Sequence, residues 1–221
     1  MRQRKRLDGA VAAGPKLLVT GFGPFPNAPE NPTQPLVRGL AGEPPGSFGA
    51  SALRAIVLPT DYRKSWLVLK RVYGVFRPDV VVHFGLSRHA DGLVIERVGR
   101  KRVDPTRPDS AGFAPPSGLC RRSGPDRLAA TLPVDAVVAE LTAAGFPAAL
   151  SDDAGGYVCN ATFYRSLQVA PAGKRLVGFV HVPPARANGL ERERLTQATA
   201  LILHVAASAW TAASDAQPAQ R

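Results

Sequence analysis

Four apolar runs of seven residues or fewer, at 16–22, 52–58, 80–85 and 176–182, set the limits on how this chain can fold. Runs this short and this apolar fit strands buried on both faces, and such strands need a layer of helices on either side. Residues 93–98 read as a further strand and 148–150 as a short one. Helical spacing fills the intervals. Within 62–76, Trp66, Leu69, Val72, Tyr73 and Phe76 fall on one side; 134–144 is stopped by Gly145 and Pro147; and 190–213 gives the longest helix. This order predicts an α/β/α sandwich around a mostly parallel mixed sheet, a single domain over 15–211. A flexible basic arm is expected at 1–14 and a polar tail at 212–221.

Composition narrows the function. A chain of 221 residues, 45% hydrophobic, buries a full core. Two cysteines without CxxC spacing and four scattered histidines make neither a disulfide framework nor a familiar zinc site, so no metal or other cofactor is expected. Residues 1–6 are basic, but Asp8 and two glycines break the apolar stretch that a signal peptide needs, and no run approaches the roughly 20 apolar residues that span a bilayer. The expectation is a cytoplasmic protein with no membrane partner. The net charge of +11 comes from arginines spread along the chain, which argues for solvated faces and against specific nucleic-acid binding.

Residues 102–127 hold five prolines, three glycines and five arginines without periodicity. A loop of that length inside a compact domain is usually functional or disordered, and a functional one would cover a site or an interface. Gly21-Phe-Gly23 after the first strand is no phosphate loop, because Pro24 and Pro26 remove amide donors and no Walker lysine follows. It offers instead Phe22 and Phe25 on a tight turn, either as core or as an apolar wall for a small ring.

Cys159 is the residue with most chemical potential. It sits where Ala154-Gly-Gly-Tyr-Val-Cys-Asn160 turns from a glycine-bearing loop into a helix, and the free amides of a helix's first turn favour a thiolate. A buried cysteine there also serves as a small apolar residue. A nucleophile needs a base, and His181 lies at the end of an apolar strand, where open α/β sheets bind ligands. His83 alternates with apolar neighbours and reads as a packed, satisfied ring; His89 falls in a loop; His204 reads as an interface or core residue of the last helix. Glu96 interrupts the strand Leu93-Val-Ile-Glu-Arg-Val98, so it either faces solvent, the common case, or is placed to orient an imidazole, with Arg97 pointing to the opposite face. Cys120, beside Arg121 and Arg122, reads as an incidental surface thiol.

Together, Thr20-Gly-Phe-Gly-Pro-Phe25 with Asn31-Pro-Thr33, Ile95-Glu-Arg-Val98, Pro108-Asp109 with Gly112, the Cys159 segment and Gly178-Phe-Val-His-Val-Pro183 resemble the signatures of pyroglutamyl peptidase I, the C15 cysteine peptidases. The resemblance covers about residues 16–210. It implies a nucleophile at Cys159, a base at His181, an orienting acid at Glu96, and removal of an amino-terminal pyroglutamyl residue from small peptides without metal. It further implies that Phe22, Phe25 and Tyr157 flank the lactam ring, and that the protein forms a homotetramer, as bacterial members often do.

The chain also departs from that pattern. Gly99 and Lys101 stand where alanine and asparagine are usual, Leu86-Ser-Arg-His-Ala90 replaces a Gln-like residue and a glycine-rich turn, and Thr106 and Arg107 stand where an arginine and an apolar pocket residue are common. Arg107 is thereby a substrate-binding candidate. Two other readings remain at this point: a thiol amidohydrolase that reads another cyclic or acylated amide through Arg107 and Lys101, and a catalytically silent binding protein on the same fold.

Overall fold

The computed structural model describes residues 14–25, 28–184 and 191–216. Among the described residues, eight strands and five α-helices follow one another as β1 (Lys16–Phe22), α1 (Thr33–Leu40), β2 (Ala52–Leu58), α2 (Lys64–Val75), β3 (Val80–Leu86), β4 (Leu93–Glu96), β5 (Val98–Arg100), β6 (Arg127–Ala129), α3 (Val134–Ala143), β7 (Ala148–Ser151), α4 (Val158–Gln168), β8 (Leu176–Val182) and α5 (Arg192–Asp215). Six strands form one sheet in the order β2-β1-β3-β8-β4-β7. The first four are parallel, and β4 meets β8 antiparallel with β7 parallel to it. The α/β sandwich with a mostly parallel mixed sheet is as the apolar runs predict.

Strand alternation divides each run between two cores. Leu17, Val19, Val80, Val82, Phe84 and Val180 face one way, into a core with α1, α3 and α5; Leu18, Val81, Val177 and Phe179 face the other, into a core with α2 and α4. Each buried leucine or valine contributes about 1.5–3 kcal/mol, so the two layers lock the sheet's register. The second face carries the chemistry. On it also lie His83, Gly85, Glu96 and His181.

Three expectations are refined. The run 93–98 is two strands: the chain leaves the main sheet at Arg97, whose guanidinium is bidentate on Asp152 at 3.0 and 2.6 Å, and β5 then pairs with β6 in a small second sheet. Helix α1 was not visible as a period, since Pro35 and Gly39 interrupt so short a segment. Helix α5 continues to Asp215, into the segment read as polar tail, while residues 1–13 and 217–221 lie outside the described residues.

The loop at 102–127 has no periodicity because its fixation comes from side chains elsewhere. Buried Asn160 donates to the carbonyls of Arg100 and Arg102 at 2.8 and 2.9 Å and accepts from the Arg100 amide at 2.8 Å. Further along α4, the Tyr164 hydroxyl donates to Pro125 and the Arg165 guanidinium to Cys120. Within the loop, Asp109 accepts the amides of Tyr62, Ala111 and Phe113. Among the described residues no helix is long and apolar enough to cross a membrane.

Candidate active site

The carboxyl ends of β3, β8 and α4's start converge on a cleft of about 580 Å³. Its position follows from the topology, because parallel strands present their carboxyl ends where the neighbouring loops diverge. In the antiparallel β4–β8 pair, Glu96 lies opposite Phe179 and Val94 opposite His181, so Glu96 and His181 are diagonal neighbours on one face. Their side chains meet: His181 Nδ1 is 2.7 Å from Glu96 Oε1, with both residues buried. That contact assigns the proton to Nδ1 and leaves Nε2 for the cleft.

Cys159 enters from the other side, in the first turn of α4. Tyr157 precedes the helix in extended conformation, and Asp153 accepts the Gly155 amide in a tight turn where Gly155 has φ of 75°. The sulfur is over Gly85, where an added Cβ would come within 2.9 Å of it. Cys159 and His181 line the same cleft and interact electrostatically. Burial alone would push the imidazole pKa down, but the hydrogen bonds and charges of Cys159 and Glu96 outweigh it and raise the value to about 9. The second Glu96 oxygen, Oε2, is buried and has no hydrogen-bond partner among the described residues.

Phe22, Phe25 and Tyr157 all line the cleft, and the rings of Phe25 and Tyr157 stand 6.2 Å apart. Two residues without an assigned role in the sequence hold this wall: the Asn31 amide and the Thr60 hydroxyl both donate to the Gly23 carbonyl, at 3.1 and 3.2 Å. The Asn-Pro-Thr segment was the signal for Asn31; nothing around Thr60 marked it. Arg107 also lines the cleft, exposed, with its guanidinium 4.3 Å over the Tyr157 ring. Its charge stays at the solvent edge on an aromatic face, which avoids the cost of burying it in an apolar slot. Leu86, Ser87, Arg88 and His89 form the opposite rim.

The remaining departures have structural causes. A Cβ at Gly99 would lie 3.0 Å from the Tyr164 Cα, so the helix packs directly on β5. Lys101 bonds the Gly124 carbonyl and Asp126, each at 2.9 Å, and does not line the cleft, which removes it from substrate reading.

Three other residues settle elsewhere. His83 is fully buried between the Thr20 and Ser166 hydroxyls at 2.7 and 2.9 Å, and burial pushes its pKa down to about 3. His204 is exposed on α5, which removes the core half of its reading as an interface or core residue. Cys120 is 4% exposed rather than a surface thiol, and burial raises its pKa to about 11 despite Arg165 and Arg121. The neighbouring arginines are outweighed by the loss of water.

Comparison with known proteins then decides the lineage. Residues 15–217 match the family described as pyroglutamyl peptidase. The chain belongs to the pyroglutamyl peptidase family. It is 41% identical over 179 residues to pyrrolidone-carboxylate peptidase 1 of Ralstonia nicotianae, covering 79% of this chain and 82% of that one. It is 35% identical to the Thermococcus onnurineus pyrrolidone-carboxylate peptidase, covering 83% and 90%. Among solved structures, the pyrrolidone carboxyl peptidase from Thermococcus litoralis superposes with a TM-score of 0.83 at 26% identity, over 90% of this chain and 96% of that one. The enzyme of that name from Thermus thermophilus gives 0.77 at 34% identity, over 85% and 98%. The sandwich is thus the fold of this peptidase family, with the cleft at the carboxyl ends of its parallel strands.

Proposed function

We propose that this chain removes amino-terminal pyroglutamyl residues from small peptides through a Cys159–His181–Glu96 triad. The observation that carries the reading is the buried Glu96–His181 hydrogen bond of 2.7 Å, which leaves the imidazole's other edge for the cleft that Cys159 also lines. Family membership supplies the reaction class, and this geometry supports the assignment of roles.

In the resting pair the imidazole is the cation, held by Glu96. The Cys159 thiolate attacks the pyroglutamyl carbonyl, and the oxyanion forms against the unpaired amides at the start of α4. His181 gives its Nε2 proton to the leaving amine as the C–N bond breaks, which releases the shortened peptide. Water then attacks the thioester while His181 takes a proton from it; the thiolate departs and free pyroglutamate leaves. Glu96 keeps the proton on Nδ1 throughout. Phe22, Phe25 and Tyr157 would sandwich the uncharged lactam, an environment that rejects the ammonium group of free glutamate. Arg107, stacked on the outside of Tyr157, would border that slot and favour substrates with an acceptor at its edge.

The proposal extends to action in the cytoplasm and to assembly as a homotetramer, as the sequence resemblance implies. The test is fluorophore release from pyroglutamyl-aminomethylcoumarin by the reduced protein. Activity should vanish in Cys159→Ser and persist in Cys120→Ser. A folded, reduced wild-type chain that leaves this substrate intact would overturn the assignment and point to a different acylated amide.

A further inference from the structure

A second cavity, of about 510 Å³, opens between the start of α2, the outer side of α4 and the 113–123 stretch of the long loop. Four arginines line it: Arg63, Arg121, Arg122 and Arg165. No acidic residue lines it, and among the described residues no carboxylate pairs with any of the four. Like charges gathered around one concavity without counter-charge repel, and low-dielectric walls concentrate their field. The arrangement costs free energy unless an anion offsets it.

Three of the four guanidinium groups are also held before anything binds. Arg165 is held by the carbonyls of Tyr62 and Cys120, contacts that use three of its five N–H donors. Arg121 donates Nε to Gln168 at 2.6 Å and keeps its terminal nitrogens. Arg63 lies 4.1 Å over the Phe113 ring, and Trp66 supplies a further aromatic wall next to Arg165. Planar forks locked in this way match phosphate and carboxylate oxygens with little further ordering. The cavity is separate from the catalytic cleft: Tyr62, whose ring packs edge-on against Tyr157 at 5.9 Å, stands between them.

We propose that this cavity is a second binding site, for a small multivalent anion whose phosphate or carboxylate oxygens are held by Arg63, Arg121, Arg122 and Arg165. The site uses none of the catalytic residues, so its occupancy is measurable independently of hydrolysis.

The chain has two tryptophans, and Trp210→Phe leaves Trp66, in the cavity wall, as the only reporter. The test titrates this full-length variant with pyrophosphate and, separately, with citrate, holding ionic strength constant with sodium chloride. A saturable change in Trp66 fluorescence with one site per chain by calorimetry is expected from at least one probe. Pyrophosphate alone would assign the ligand to phosphate compounds, citrate alone to carboxylates, and both to the shared anion chemistry. Arg63→Gln with Arg122→Gln, both exposed side chains, should weaken binding by about tenfold or more while hydrolysis of the pyroglutamyl fluorogenic substrate is kept. Should the double variant not fold, Arg122→Gln alone gives the same comparison. No saturation by either probe, or an affinity that these substitutions leave unchanged, would overturn the site.

Discussion

Cys159 rests on Gly85: a methyl group at that glycine would come within 2.9 Å of the sulfur and 2.7 Å of the Phe179 ring. Gly85 lies in register with His181 on β3 and β8, so this one position sets the height of the nucleophile above the sheet. Gly85→Ala should therefore lower kcat/KM by about 100-fold through displacement of the sulfur. The extra carbon in a packed site should cost about 1–3 kcal/mol of stability. Steady-state kinetics beside urea unfolding checks both. A variant with wild-type kcat/KM would show that the sulfur's seat is not fixed by this contact.

The Glu96–His181 pair predicts a pH dependence. The folded-state pKa of His181, about 9, lies above the ordinary 6.5. The stabilisation it brings is therefore complete below about 6.5 and lost as pH rises through about 9. The proton given to the leaving amine is lost over the same range, so kcat/KM should fall on the alkaline side near pH 9. Glu96→Gln removes the carboxylate charge, moves that limb to lower pH and lowers kcat by about 10³-fold through loss of the tautomer's anchor. The measurement is a pH–rate profile of both proteins, and an unmoved alkaline limb in the variant would count against the pairing.

Much of this was legible because strands buried on both faces write themselves as apolar runs, in which Glu96, His83 and His181 stand out as polar interruptions. What stayed hidden depends on pairing between distant segments. The diagonal placement of Glu96 beside His181 needs the antiparallel register of β4 and β8, which no local pattern encodes. The seat at Gly85 needs α4 packed over β3. Cys120 reads as a surface thiol because it lies in an irregular loop beside two arginines, whereas the fold buries it, and desolvation then dominates.

Asn160 offers a test of how the long loop is fixed. It is fully buried, next to the nucleophile, and makes three hydrogen bonds to the backbone at Arg100 and Arg102. Asn160→Ala leaves those groups unpaired, so stability should fall by about 2–4 kcal/mol. Limited proteolysis should show earlier cutting within 102–127, with KM rising because Pro108 and Arg107 help position Tyr157. Unchanged proteolysis would mean that Tyr164, Arg165 and Gln168 hold the loop by themselves.

His83 makes the opposite kind of pH prediction from His181. Sealed between Thr20 and Ser166, it is held neutral, with its pKa pushed down to about 3 by burial. The unfolded chain takes up a proton near pH 6.5 while the folded one does not, so the stability from a neutral His83 is present above about 6.5 and erodes as pH falls toward 3. The slope approaches about 1.4 kcal/mol per pH unit in that window. His83→Gln keeps a donor and an acceptor between the two hydroxyls and removes the titration, so its stability should be flatter between pH 6.5 and 5 even if lower at neutral pH. Urea unfolding of both proteins across that range measures the difference in slope, and parallel curves would mean that His83 gains a proton in the folded protein as readily as in the unfolded chain.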